Sequence, residues 1–290
     1  MMDVRHLLRA YEQGQRDFSG VDLRGADLSC VTLIGVNFQG ANLQGANLRR
    51  SFLTQCNFSE ACLNWCNLSY AKLSNAQFIN TDLTKANLNG AFMVEAIGTY
   101  TQLSGGILTH TNLRGANFWN ANLSGANLQG ANLRQANLSQ TNLNWANCSE
   151  VRLIKAALYG ASLNGINLSQ SLLKDIDLSG ADLEGVNFQG AKISRLNVEH
   201  AQLMTANFQE ACLQSVNFRD ANLTGANLAQ ASLELVDFTG ATLQRANFEQ
   251  VDLTETLLKE ADWHDAKYRV TTSTRASPTT APHNLLWATT

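Results

Sequence analysis

The fold is decided by the stretch Ala-Asn-Leu-Gln-Gly-Ala-Asn-Leu at residues 41–48, because its five-residue unit recurs through most of the chain. Leu or Phe occupies 44 of the 51 positions numbered in 3 or 8 from Phe18 to Tyr268. Ala occupies 29 of the 51 positions two residues earlier. A helical face recurs every 3.6 residues and a strand face every two, so a period of five fits neither. A repeat this regular indicates a solenoid.

Each unit is explained by three strand residues followed by a two-residue turn. Side chains alternate in direction along a strand, so Ala41 and Leu43 point to one side and Asn42 to the other. Gln44 and Gly45 then form the corner, because a type II turn needs a positive φ at its third residue and glycine adopts it without strain. Of the 20 glycines, 17 stand at this corner position.

The charged residues indicate which side of the strand is enclosed. None of the 38 charged residues between Asp17 and Tyr268 stands at an inward position, although two-fifths of all positions are inward. An unpaired buried charge costs several kcal/mol, so this exclusion predicts a closed apolar interior.

Phenylalanines at 20-residue spacing indicate how many units close one coil. Corners of about 90° bring the chain round after four units, and stacking rings of one size above each other fills the interior without voids. The first such series is Phe18, Phe38, Phe58 and Phe78. The sequence therefore predicts an all-β protein, a parallel β-helix of about 12 to 13 coils with four pentapeptides per coil.

The pentapeptides at 41–45 and 126–130 both match the pattern A(D/N)LXX. Because of this pattern the chain resembles the pentapeptide repeat proteins. The resemblance extends over about 250 of the 290 residues. It implies a right-handed quadrilateral β-helix with Leu or Phe and the small residue inside. Such proteins are abundant in cyanobacteria, and the opening of the repeat at 18–23 looks like that of cyanobacterial members.

Three segments are expected from these patterns. Residues 1–15 contain a short helix with Asp3 as its N-cap, and we expect it to lie over the first coil, where an open strand edge needs covering. Residues 16–268 form the repeat. Residues 269–290 are expected to be a flexible tail that holds both prolines. Its apolar residues 285–287 are expected either to pack on the last coil or to meet a second copy.

Composition favours a soluble cytoplasmic protein. The chain is 44% hydrophobic with a net charge of −3, and it has no apolar run long enough to span a membrane. The N-terminal residues lack the apolar core of a signal peptide.

No pattern in the sequence indicates an enzyme, a cofactor or a metal. The five histidines are far apart, and no nucleophile elbow or phosphate-binding loop is present. The series Cys56, Cys62 and Cys66 lacks the paired spacing of a zinc site, and its thiols are expected to point in different directions. We therefore predict no catalytic, cofactor-binding or metal-binding residues, and no disulfides.

The segment 92–110 departs from the pattern, because Gly98 stands where a Phe ring is expected. Apolar residues stand at outward positions around it: Phe92, Ile97, Tyr100 and Ile107. We expect a local bulge in which one of these side chains turns inward to fill the gap, or else an interaction loop.

Four aromatic residues define a candidate protein-interaction surface. The 20-residue coil places Tyr100, Trp119 and Tyr159 on one corner and Trp145 on the next. Exposed aromatic residues are frequent hot spots for binding, although scattered ones are also normal on protein surfaces.

The sequence therefore favours a non-enzymatic structural or protein-interaction scaffold of unknown specific role, with an unidentified protein partner. The alternative is a DNA-mimicking modulator of a type II topoisomerase, an activity that the resemblance implies for some members. It depends on residues 199–265, which hold 11 acidic and 3 basic side chains. We expect no direct nucleic-acid binding, no membrane span, and a monomer or an end-to-end dimer.

Overall fold

A computed structural model describes residues 2–268 of the chain. The chain divides into two compact units, Met1–Leu168 and Ser169–Thr290. The segment 269–290, including the apolar residues 285–287, lies outside the described residues.

The repeat folds as predicted, into parallel coils of 20 residues. In the first unit, isolated parallel bridges join each outward residue to the residue 20 positions later, from Asp17↔Asn37 to Asn147↔Asn167. This register makes about seven and a half coils in the first unit. The second unit has a 20-residue register of its own, in about five coils. With four corners per coil, each unit is a four-sided parallel β-helix.

Regular secondary structure within residues 2–268 consists of one helix and nine short strands. They are α1 (Val4–Glu12), β1 (Arg152–Ile154), β2 (Leu172–Asp177), β3 (Lys192–Asn197), β4 (Cys212–Gln214), β5 (Ser232–Glu234), β6 (Val236–Asp237), β7 (Asn247–Phe248), β8 (Thr256–Leu257) and β9 (Lys267–Tyr268). Within the second unit, β2 pairs with β3, β3 with β4, and β4 with β5. Strands β6 and β8 form one further parallel pair, and β7 and β9 form another.

All five backbone N–H groups of the repeat unit 41–45 have an acceptor. The N–H of Ala41 donates to the carbonyl three residues earlier at 2.9 Å, closing the turn. Asn42 donates to the preceding coil at 2.9 Å, and Leu43 and Gly45 donate to the following coil at 2.7 and 3.0 Å. The N–H of Gln44 donates to the side-chain oxygen of Asn42 at 3.2 Å. The frequent Asn or Asp at this position therefore pairs the one turn donor that no neighbouring coil accepts.

Corner residues adopt the left-handed conformation that the turn predicts. Their φ angles lie between +51° and +69°, and 32 of these residues are not glycine. Such a residue costs roughly 1–2 kcal/mol of backbone strain. The coils on either side hold the backbone in place through the hydrogen bonds described above, so the strain is tolerated.

The predicted aromatic columns are present in the interior. Phe38 and Phe58 stack with ring centroids 5.4 Å apart and an interplanar angle of 11°. In the second unit, Phe188 and Phe208 stack at 4.8 Å and 7°. These rings are fully buried. The spacing of the rings follows the spacing of the coils, because each ring stands at the same position of its coil.

Helix α1 covers the first coil, as expected. Asp3 caps the helix, and its side chain accepts a hydrogen bond from the N–H of Arg5. Leu7 is fully buried, and the hydroxyl of Tyr11 accepts the N–H of Ile34 at 3.1 Å. The helix thus provides an apolar cover and an acceptor for a backbone donor of the repeat.

The prediction of a bulge or an interaction loop at 92–110 is wrong. The segment keeps its turns and its bridges to the next coil, including Ile97↔Asn117. The apolar residues around it stay on the outside and remain about two-fifths exposed: Phe92, Ile97, Tyr100 and Ile107.

The space beside Gly98 is filled from the next coil. A Cβ atom built on Gly98 would lie 2.3 Å from Cε1 of Phe118, which is far inside van der Waals contact. The ring of Phe118 therefore occupies the volume that a side chain at Gly98 would need. The coil stays regular because a ring of the next coil, rather than an outward side chain of the same segment, takes the place of the missing side chain.

Candidate protein-interaction surface

The structure places the four predicted aromatic residues on the outside of the first unit. Tyr100 and Trp119 are 43% and 36% exposed, whereas Trp145 and Tyr159 are 74% and 80% exposed. Trp119 and Tyr159 occupy the same turn position of the same corner, two coils apart. Trp145 stands on the next corner along the coil.

Tyr100 and Trp119 form an ordered pair. Their ring centroids are 5.1 Å apart at an interplanar angle of 87°, an edge-to-face arrangement. Such pairs contribute about 0.5–1.5 kcal/mol beyond the area they bury. The two rings therefore present a preformed surface rather than two independent side chains.

Trp145 rests on a glycine of the following coil. A Cβ atom on Gly165 would lie 2.3 Å from Cε3 of the indole, so the ring lies where that atom would be. Tyr70 lies over Gly90 in the same way. A bulky corner residue followed by glycine 20 residues later is a sequence signal of this packing, and our sequence analysis missed it.

These four aromatic residues border a face that carries no charge. We define the neutral face as residues 99–105, 119–125, 139–145 and 159–165. None of these residues is Asp, Glu, Lys, Arg or His. The corresponding segment of the preceding coil, 79–85, carries two charged residues. The sequence contained this signal, but it becomes visible only when residues are aligned at the 20-residue coil.

A column of amide side chains runs along the middle of the neutral face. Parallel bridges place Gln102, Asn122, Asn142 and Ser162 one above another. The Nδ2 of Asn122 donates to Oε1 of Gln102 at 3.2 Å. At ~4.8 Å per coil, the four coils of the face extend over roughly 19 Å.

Other exposed aromatic rings of the first unit are partly covered by cations. The ammonium of Lys72 lies 3.2 Å from the ring centroid of Phe92. That of Lys85 lies 4.5 Å from the ring of Trp65. Such cation–π contacts occupy a ring face that a partner would otherwise use.

The buried cysteines are core residues. Burial raises the pKa of the Cys56 and Cys148 thiols to about 12, so both are protonated at neutral pH. The Sγ of Cys56 donates to the carbonyl of Leu33 at 2.8 Å. Cys62 is exposed whereas Cys56 and Cys66 are buried, so these three thiols do not point to a common centre.

One cluster in the second unit has the residue types of a cation site. The side-chain oxygen or nitrogen atoms of Glu199, His200 and Asp220 lie within 4.8 Å of one another. The His200 Nδ1 lies 4.0 Å from an Asp220 oxygen, and Asn217 donates to Glu199 at 3.5 Å. The cluster lies on one corner of the second unit and is open to solvent. These contacts within the protein explain why the three side chains lie close together.

The acidic residues of the segment 199–265 point outward from all four corners of the second unit. Glu199 and Glu210, for example, stand on opposite corners. Two of them pair with cations of the second unit: Asp237 with Arg219 at 3.4 Å, and Glu260 with the ammonium of Lys259 at 3.3 Å. The negative charge is therefore spread around the coils rather than concentrated on one face.

This geometry defines a class: proteins built from pentapeptides that coil four to a turn around an apolar interior. The family model "Pentapeptide repeats (8 copies)" matches overlapping segments that together extend from residue 17 to residue 254. The chain belongs to the pentapeptide repeat family.

Several solved structures of pentapeptide repeat proteins are similar to this chain. HetL of the cyanobacterium Nostoc sp. strain PCC 7120, involved in heterocyst differentiation regulation, is 30% identical, with 92% of this chain and 97% of HetL covered and a TM-score of 0.20. A protein of the Arabidopsis thaliana thylakoid lumen is 27% identical over 36% of this chain and 68% of its own, with a TM-score of 0.31. A trypsin-treated form of QnrB1, a plasmid-mediated fluoroquinolone resistance protein, is 19% identical over 68% of this chain and 91% of its own, with a TM-score of 0.33.

A comparison with curated protein sequences gave no match. Within residues 2–268, no helix has both the length and the apolar character to cross a bilayer.

Proposed function

We propose that the chain is a non-enzymatic scaffold that binds another protein through the neutral face. The observation that carries this proposal is the border of four exposed aromatic side chains around an uncharged surface of four coils. Protein interfaces are enriched in Tyr and Trp and depleted of charge at their centres, and such aromatic residues dominate the binding energy.

The filled interior supports a scaffold rather than an enzyme. Catalysis needs a concave pocket in which several polar groups converge. The inward columns of both units are dominated by buried Leu, Phe and small residues. Polar side chains among them are engaged with the backbone, as when the hydroxyl of Thr81 donates to the carbonyl of Phe58 at 2.7 Å.

The rigidity of the coils supports binding without rearrangement. Backbone hydrogen bonds join successive coils throughout the neutral face, as from Leu103 to Asn122 at 2.7 Å, and the Tyr100–Trp119 pair is ordered by ring contact. A preformed surface loses little conformational entropy when a partner binds, so a small contact area yields more affinity.

The test is capture of a partner from extracts of the native cells by immobilised protein. We compare the wild type with the double variant Trp119→Ala/Trp145→Ala, and with Trp65→Ala as the matched control. Trp65 is also an exposed corner residue, 58% exposed, but it lies outside the neutral face. We expect the wild type and the control to capture the same protein and the double variant to lose it.

The salt dependence of capture provides a second test of the proposal. Because the neutral face has no charged side chain, we expect capture to persist at high ionic strength, where charge-driven contacts are screened. Capture that disappears in salt, or that the double variant retains, would contradict the proposal.

The acidic segment 199–265 favours a second candidate function, modulation of a type II topoisomerase by DNA mimicry. Duplex DNA carries one charge per ~1.7 Å of its axis, and the segment has an excess of eight negative charges over about 3.3 coils. A supercoiling assay tests it directly. Unchanged gyrase activity at micromolar protein would exclude this candidate. A cytoplasmic location, and a monomer or an end-to-end dimer, remain predictions.

A further inference from the structure

We propose that the neutral face binds a proline-rich, uncharged segment of its partner in the polyproline II conformation. The inference rests on the proposed function, since it names the part of the protein partner that the face recognises. It is argued from the spacing of the aromatic residues, the chemistry of the face and its size.

The spacing of two aromatic residues matches the repeat of a polyproline II helix. Trp119 and Tyr159 occupy the same turn position two coils apart, which is ~9.6 Å along the coil axis of the first unit. A polyproline II helix repeats every three residues, or about 9.3 Å. Successive turns of such a segment would therefore meet equivalent aromatic rings.

A small residue separates the two rings. Ser139 occupies the same turn position in the coil between Trp119 and Tyr159, and its side chain is short. A small side chain between two large ones leaves a gap about one coil wide at this turn position. A proline ring is compact and apolar, as an occupant of such a gap must be.

The polar groups of the face suit a polyproline II backbone. This conformation has no internal hydrogen bonds, so its carbonyl groups need external donors. The second amide N–H of Asn122, the amide of Asn142 and the hydroxyl of the exposed Tyr159 offer such donors along the face. Proline-rich segments bind grooves lined by aromatic residues in several domain families for the same physical reason.

The size of the face favours an extended segment over a folded domain. Four coils of ~4.8 Å and a side of about 10 Å give an area of roughly 200 Å². A stable interface between folded proteins buries about 800 Å² on each partner. The absence of charge across the face favours a segment that is itself uncharged, because no ion pair would compensate the desolvation of a charge there.

The test is calorimetric titration of the full chain with a decaproline peptide blocked at both ends. A blocked peptide of alternating Gly and Ser, of the same length, is the control ligand. We expect decaproline to bind and the control peptide not to bind. We expect Ser139→Leu, which fills the gap, to weaken decaproline binding at least tenfold.

Ser149→Leu is the matched control variant. Ser149 occupies the same position of its pentapeptide, on another corner of the coil. Each of the two serines donates its N–H to the side chain of the Asn two residues earlier, at 3.1 Å for Ser139 and 3.2 Å for Ser149. Both variants should unfold at the temperature of the wild type. Equal effects of the two variants on decaproline binding would overturn the inference, as would decaproline binding no better than the Gly-Ser peptide.

Two further outcomes separate the inference from the proposed function. If maltohexaose binds the face and decaproline does not, the face recognises a neutral glycan and the inference is overturned. Suppose that the variant Trp119→Ala/Trp145→Ala no longer captures the partner protein, but decaproline does not displace that protein from the wild type. The scaffold function then stands and the inference is overturned. Displacement of that protein by decaproline, but not by the Gly-Ser peptide, would support both.

Discussion

Replacing Gly98 by alanine should destabilise the first unit because the added methyl group has no room. The Cβ atom would lie 2.3 Å from Cε1 of Phe118 and 2.7 Å from its Cδ1, whereas carbon atoms in contact lie about 3.5–4.0 Å apart. The ring must therefore move by more than 1 Å within a closely packed core. The backbone itself would accept alanine, since the φ angle of Gly98 is outside the left-handed region.

Overpacking of this kind costs about 1–3 kcal/mol. For a chain of this size each kcal/mol lowers the melting temperature by about 2–4 °C, so we expect a decrease of roughly 2–12 °C. The measurement is thermal unfolding followed by circular dichroism, with the urea midpoint as a second readout. Gly106→Ala is the matched control, because Ala is the commonest residue at its position and a Cβ atom there would lie 3.0 Å from the Leu103 carbonyl oxygen and 3.3 Å from Cδ1 of Leu108, against 2.3 Å at Gly98.

A double-mutant cycle identifies the cause. Phe118→Leu alone leaves a gap and is also expected to cost about 1–3 kcal/mol. Combined with Gly98→Ala it removes the clash, so the double variant should be more stable than the sum of the single effects by about 0.5–3 kcal/mol. An additive cycle, or a Gly98→Ala variant as stable as Gly106→Ala, would refute the packing that we describe.

Three further predictions follow from the repeat. Asn127→Ala removes the acceptor of the Gln129 N–H and of the Asn147 amide, at 3.1 and 3.2 Å, and should lower the free energy of unfolding by about 1–3 kcal/mol in urea titrations. Hydrogen bonds from Arg24 lower the pKa of Asp22 to about 2. Because the folded pKa lies below the ordinary value of 3.8, this contribution to stability is present above that value and is lost as the pH falls toward 2. The melting temperatures of the wild type and Asp22→Asn should therefore converge below about pH 2. Native protein treated with a thiol reagent at neutral pH should lose only three of its six free thiols, because the other three are buried. The reactive residues should be Cys30, Cys62 and Cys212.

The corner turns and the inward columns could be predicted because each depends on one repeat unit and its neighbours in the chain. A left-handed corner is required wherever five residues must combine a strand with a turn, so glycine at residue 45 already indicates it. Likewise, the 20-residue spacing of Phe38 and Phe58 predicts their stacking, since equivalent positions of successive coils are vertical neighbours. The candidate aromatic residues could be placed on corners by the same count.

The bulge at 92–110 was a wrong prediction because it assumed that a side chain of the same segment replaces the one missing at Gly98. Only the packed coils show that Phe118, 20 residues later, leans into the space beside Gly98. The neutral face was missed for a related reason. Its four segments are separated by stretches that carry charge, and they become one surface only when the coils are stacked.

The sequence by itself determined the period, the inside and outside of each strand, the left-handed corners and the family to which the chain belongs. These properties follow from short-range geometry and from the exclusion of charge from an apolar interior. The tertiary structure alone decided which ring fills the place of a missing side chain, in which direction the corner side chains extend, and how closely they approach the next coil. Those choices depend on contacts between atoms of different coils, whose directions and distances no repeat unit contains.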